Sequence, residues 1–185
     1  MSEKSKAMQW EVVGSSVRGA SHLRSGLPNQ DAIQFIPESG SGNVVALAVS
    51  DGHGSAKSFR SDVGARLAVQ VCVQVLNESW INISKHGQPN MTAIKREAED
   101  RLPKLISRLW RQKVGEHCAA NPFSVDELSK MKNDKAAVEY INEKKVNYQT
   151  YGATLLSALI TETFMLFLQL GDGDILLVSS DFSVS

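Results

Sequence analysis

Three short acidic signatures stand at the ends of apolar runs: Asn29-Gln30-Asp31-Ala32, Ser50-Asp51-Gly52-His53-Gly54 and Gly171-Asp172-Gly173-Asp174. A carboxylate placed where a strand meets a turn lies at a sheet edge. Several such turns together can hold hard divalent cations through oxygen ligands. The pattern asks for a fold whose strand ends carry the chemistry, and a two-metal hydrolase is its first reading.

The apolar run Val44 to Val49, rich in valine, reads as a strand buried on both faces that stops at Asp51-Gly52. Before it, Trp10 to Val17 alternates loosely as a strand, and Ala32 to Ile36 reads as a second short one. After it, Ser55 is placed to cap a helix in which Phe59, Val63, Leu67, Val71 and Val75 recur every four residues. A second amphipathic helix is expected from Asn90 to about His117, kinked or restarted at Pro103. Ser124 and Glu127 have capping-box spacing for a short helix, and the charged stretch from Asn133 to Asn147 reads as exposed. Three apolar runs then follow, Thr154 to Ile160, Phe164 to Leu170 and Ile175 to Ser179, which suggest an antiparallel meander. Strands at both ends with helices between define an α+β class, read as one domain over 1–185 with a polar tail at 1–9 and a mainly helical section at 82–150.

Composition closes off several alternatives. In 185 residues, 20 Lys and Arg balance 20 Asp and Glu, so no net field draws nucleic acid or an anionic membrane. No run approaches the roughly 18 apolar residues of a membrane span. The polar start, Met1 to Gln9, has no signal core. Cys72 falls on the apolar helical stripe as a buried free thiol, which fits a reducing cytoplasm.

The order Arg18-Gly19, His22, Gly26, Asn29-Gln30-Asp31-Ala32, an apolar strand into Ser50-Asp51-Gly52-His53-Gly54-Ser55, then Gly64-Ala65-Arg66, Gly152-Ala153-Thr154 and Gly171-Asp172-Gly173 resembles the metal-dependent protein phosphatases of the PPM or type 2C family. The resemblance runs from about residue 14 onward. It implies a sandwich of two antiparallel β-sheets flanked by helices, two Mg²⁺ or Mn²⁺ ions at one end, and phosphoserine and phosphothreonine proteins as substrates. It also implies that Asp31 and Asp51 hold metal, that Gly52 contributes its carbonyl, and that Asp172 attends a further, weaker ion. His53 matches the family's Asp-Gly-His histidine and would protonate the departing oxygen as a general acid.

Two departures stand out. The family's phosphate-binding arginine has no counterpart at the usual spacing, which reaches Gly26, so Arg24, Arg18 and His22 are substitutes by proximity. An arginine fork matches phosphate oxygens best. The family's second Asp-Gly motif and its Asp-Asn motif lie beyond Ser185, so the resemblance implies a fold incomplete at the C-terminus and a weakened metal site. A non-catalytic binding or regulatory module is the alternative, with an open sheet edge able to pair with another chain.

Commoner readings compete at each position. Asp172 and Asp174 fit a hairpin turn as well as a metal site, since Asp-Gly favours turns. Gly52 to Ser58 lacks the second glycine of a P-loop, where Ala56 stands. No histidine pair has zinc-binding H-E-x-x-H spacing. The basic residues between Lys95 and Lys113 alternate with Glu97, Glu99 and Asp100 as a solvated helix face.

Overall fold

The structure is a computed structural model that describes residues 8–85, 87, 89–131 and 135–184. The protein is α+β, with two antiparallel sheets of unequal size. Strand β1 (Trp10–Glu11) comes first, then the short helix α1 (Ala20–Ser25), ended by Gly26 in the left-handed region at φ 73°. Strands β2 (Ala32–Ile36), β3 (Ser41–Gly42) and β4 (Val45–Ser50) follow. Helices α2 (Ser61–Ser84), α3 (Met91–Arg96), α4 (Leu102–Ala120), α5 (Val125–Lys130) and α6 (Lys135–Glu143) fill the middle, before β5 (Leu155–Ile160) and β6 (Met165–Leu170). β1 pairs with β3, and the larger sheet runs β2-β4-β5-β6.

Period-two alternation divides the larger sheet. Ala46 and Ala48 of β4, Leu155 and Leu159 of β5 and Leu166 of β6 join Ala65, Ala68, Cys72 and Leu76 of α2 in the main core. Small residues on β4 let α2 approach closely, and deletion of a buried leucine such as Leu76 costs about 2–5 kcal/mol. The other face carries Ile33, Leu47, Val49, Leu156 and Phe167, all outside that core, and Val49 and Phe167 each stay 37% exposed. β4 is therefore not buried on both faces: helices cover only one.

Other departures from the sequence reading have local causes. Ser55 does not cap α2. Its hydroxyl donates to Ser58 Oγ at 3.2 Å, and the helix starts six residues later, after Arg60 has turned into the interior. The long second helix is real but broken by a π-helical turn, Glu97–Arg101, which ends two residues before Pro103. Proline lacks an N–H and crowds the carbonyl four residues earlier, and the wider turn relieves that clash. The capping box at Ser124 and Glu127 forms as expected. The charged stretch beyond it is mostly exposed where its burial is described, with Tyr140 alone buried, its ring 4.5 Å from that of Phe123; residues 132–134 lie outside the described set.

Of the expected meander, the first two runs form β5 and β6, but Ile175 to Ser179 is not a strand. Its only pairing among the described residues is an isolated bridge between Val178 and Val184. Gly171 at φ 115° turns the chain, and Gln169 Nε2 donates to the Gly171 and Gly173 carbonyls at 3.2 and 2.5 Å, holding the loop away from a third pairing. β2 and β6 are thus the edges of the larger sheet among the described residues.

A second core sits under α2, α4, α5 and the 3-10 turn Tyr148–Tyr151, around Val114, Cys118, Phe123, Tyr140 and Tyr151. Arg60 runs through it. Its guanidinium donates to both Glu127 oxygens at 2.6 and 2.8 Å, to Tyr151 Oη at 2.8 Å and to the Asn121 and Pro122 carbonyls, and it stacks 4.4 Å from the Phe123 ring. That hydrogen bonding holds the Glu127 carboxyl down at about 2. Both cysteines are buried free thiols, and burial pushes Cys72 up to about 11. No described helix is long and apolar enough to cross a membrane.

Candidate metal centre at the sheet end

Register brings the acidic signatures together. Ala32 pairs with Ser50 across β2 and β4, so Asp31, just before one strand, and Asp51, just after the other, must be neighbours. Leu155 pairs with Leu170 across β5 and β6, which places Thr154 and Gly171-Asp172 at that same end. An isolated bridge between Gly52 and Ala153 closes the arrangement.

Each segment is fixed by its own hydrogen bonds. The Asp31 N–H donates to Asn29 Oδ1 at 3.2 Å, and Asn29 Nδ2 donates to Ser16 Oγ at 2.8 Å. Gln30 is buried between them and the helix, donating from Nε2 to Ser61 Oγ at 2.7 Å. The Asp51 N–H donates to Thr154 Oγ1 at 3.1 Å, the Thr154 N–H returns to the Asp51 carbonyl at 2.8 Å, and Ser50 Oγ donates to the Thr154 carbonyl at 2.5 Å. Gly52 is required sterically: a Cβ there would lie 2.5 Å from the Gln30 carbonyl oxygen and 2.9 Å from that of Ser61. The His53 N–H donates to the Gly152 carbonyl at 3.0 Å, and the ring lies beside Gly152.

Asp31, Asp51 and Asp172 line one cavity of about 410 Å³, together with Ser15, Ser16 and Thr154 and without any basic residue. Partial desolvation at this wall raises the Asp51 carboxyl above its usual range, and the hydrogen-bonding and charge of Asp31 and the charge of Asp172 add to the rise, against His53. Asp51 remains solvent-exposed as a residue, so the neighbouring carboxylates are the more telling cause. Mutually repelling carboxylates fit a divalent cation. Mg²⁺ in particular is held by one or two carboxylates with water completing its shell. Among the described residues no three His, Cys, Asp or Glu side chains converge closely enough to hold one ion, so Asp172 shares the cavity without completing a tight trio.

The candidate bases are placed differently. Arg18 Nη2 donates to the His22 carbonyl at 3.0 Å, Arg24 is exposed in α1, and none of Arg18, His22 and Arg24 lines the acidic cavity. Arg18 Nε is buried without a partner among the described residues. His53 lines a separate apolar cavity. Thr154, Ser50 and Gln30 are structural members of the site that sequence reasoning left without a role. The Gly152-Ala153-Thr154 motif was the available signal.

A profile of the protein phosphatase 2C family matches residues 18–185, and the chain belongs to that family. The family consists of protein phosphatases that in general depend on Mg²⁺ or Mn²⁺. No curated protein and no solved structure matches the chain at a significant level.

Proposed function

We propose that the protein is a metal-dependent serine/threonine protein phosphatase that hydrolyses phosphoserine and phosphothreonine side chains. The observation that carries this reading is that the Ala32–Ser50 register brings Asp31 and Asp51 side by side at the sheet end, with Asp172 in the same base-free cavity. Asp31, Asp51 and the Gly52 carbonyl would hold two ions, and Asp172 would assist a further one. When bound, Mg²⁺ or Mn²⁺ supplies positive charge at the phosphoryl oxygens and lowers the pKa of a water.

The chain's own residues orient and exchange protons. Asn29 and Thr154 fix the two carboxylates from the backbone side. Arg18 follows cavity-lining Val17 directly and its Nε has no partner among the described residues, and of the three candidate bases it is the one we assign to the phosphate oxygens, ahead of Arg24 and His22. His53 donates a proton to the leaving serine or threonine oxygen. Buried free thiols accord with action in a reducing cytoplasm.

The absence of a converging trio among the described residues favours a second reading, a non-catalytic phosphatase-like module that binds a phosphoprotein or pairs through an edge strand. Hydrolysis of a phosphothreonine peptide with Mn²⁺, with and without EDTA and with Asp51→Asn, separates the two. Turnover lost on chelation and in the variant supports the phosphatase; no turnover in the folded chain supports the module.

A further inference from the structure

Gln30 stands between Asn29 and Asp31 in the chain, yet it does not line the acidic cavity and is only 4% exposed. A glutamine this deep is uncommon, because its amide must replace water with protein partners. Its Nε2 donates at 2.7 Å to the hydroxyl of Ser61, the first residue of α2, which is itself fully buried. Its Oε1 has no donor among the described residues and lies toward the turn after Asp51, where a Cβ on Gly54 would come within 3.6 Å of it.

The backbone of Gln30 works in the same direction. The Gly52 N–H donates to the Gln30 carbonyl at 3.1 Å, beyond the last strand pair, Ala32 with Ser50. Asp31 and Asp51 therefore sit between that pair and this bond. Gly52 in turn is pressed between the Gln30 and Ser61 carbonyls, which leave no room for a Cβ. Asp31 is thus held to α2 as well as to β4. The bonds on its other flank, Asn29 to Ser16 and Asp31 to Asn29, are exposed to water, whereas the Gln30–Ser61 bond is buried and free of that competition.

We propose that Gln30 is a positioning residue of the metal centre: seated on Ser61, its amide fixes the Asp31 and Asp51 carboxylates at the separation a divalent ion needs. The proposal rests on the reading of the acidic cavity as a metal site. Gln30 acts through the backbone on either side of it and not as a ligand. Mg²⁺ demands near-octahedral oxygens at about 2.0–2.1 Å, so a small drift of one carboxylate is felt in affinity. Loss of a residue that orients a metal ligand weakens binding by roughly 10–100-fold.

The test titrates Mn²⁺ into the full chain, Gln30→Met, Ser61→Ala, the double variant, Asp31→Asn and Val73→Ala. Val73 is a buried core residue roughly three turns along α2 from Ser61. Binding is followed by the paramagnetic resonance signal of free Mn²⁺, and melting temperatures are taken in EDTA. Gln30→Met and Ser61→Ala should each bind roughly 10–100-fold more weakly, and the double variant no more weakly than the poorer single. Val73→Ala should melt lower and bind like wild type. Wild-type affinity in folded Gln30→Met, a loss that multiplies in the double variant, or an equal loss in Val73→Ala overturns the proposal. If Gln30→Met does not fold, Ser61→Ala decides in its place. Binding lost in Asp31→Asn but kept in the Gln30 and Ser61 variants sinks the positioning role alone, whereas no Mn²⁺ binding by the wild type sinks the metal reading and this proposal with it.

Discussion

Asp51 and Thr154 hold each other by two backbone-anchored hydrogen bonds, Asp51 N–H to Thr154 Oγ1 at 3.1 Å and Thr154 N–H to the Asp51 carbonyl at 2.8 Å. The carboxylate is thereby aimed by β5, a strand more than a hundred residues downstream. Thr154→Val removes the hydroxyl and leaves the Asp51 N–H unpaired, at a cost of about 1–3 kcal/mol. Turnover or metal affinity should fall by roughly tenfold and recover in Thr154→Ser; equal loss in both variants would mean that the methyl group, not the hydroxyl, matters.

Removal of one carboxylate should relieve the other. The raised Asp51 carboxyl is ionised at neutral pH at a cost to the metal-free fold, and that cost disappears as pH falls through its raised folded pKa. Asp31→Asn should therefore raise the melting temperature of the EDTA-treated protein at pH 7. The gain should stay below about 1 kcal/mol because Asp51 is exposed and solvent screens the repulsion. Calorimetry showing a lower melting temperature in Asp31→Asn contradicts this account.

Arg60 and Glu127 fasten α5 and the 3-10 turn to the start of α2. A partner left behind in such a buried pair is strongly destabilising, so Arg60→Met should cost about 3–5 kcal/mol in urea unfolding. Glu127 has a folded pKa of about 2, below its ordinary 4.5, so its contribution is complete above 4.5 and is lost as pH falls toward 2. Glu127→Gln should flatten the acid limb of the stability profile; an unchanged limb rules out this pair as its source.

Gly64 is set by close approach. A Cβ there would lie 1.8 Å from the Tyr151 carbonyl oxygen, while Trp110 Nε1 donates to the Gly64 carbonyl at 3.0 Å. Backbone must move to admit even alanine, so Gly64→Ala should destabilise by at least about 2 kcal/mol. A melting temperature within a degree of wild type would show that α2 can shift away from the turn.

Much of this was readable in the chain. The valine run at β4, the stripe on α2 and the capping box at Ser124 are local patterns, and the structure forms each of these elements, although helices cover β4 on one face only. The neighbouring positions of Asp31 and Asp51 could be inferred from motif order but needed the Ala32–Ser50 register to become a necessity. What stayed illegible depends on distant contacts. Arg60 looks like a surface base in sequence, and only Glu127, Tyr151 and Phe123, all 63 or more residues away, make it an interior one. Ile175 to Ser179 has a strand's composition but among the described residues only the isolated Val178–Val184 bridge for pairing, and pairing, not propensity, decides a strand.

The central claim is that Asp31 and Asp51 together bind a divalent ion. Isothermal titration of Mn²⁺ into the chain, Asp31→Asn, Asp51→Asn and the control Asp174→Asn addresses it directly. Saturable binding is expected in the wild type and the control and at least about tenfold weaker binding in the two others, since hard-cation affinity follows ligand charge. Indistinguishable isotherms for all four proteins would contradict it.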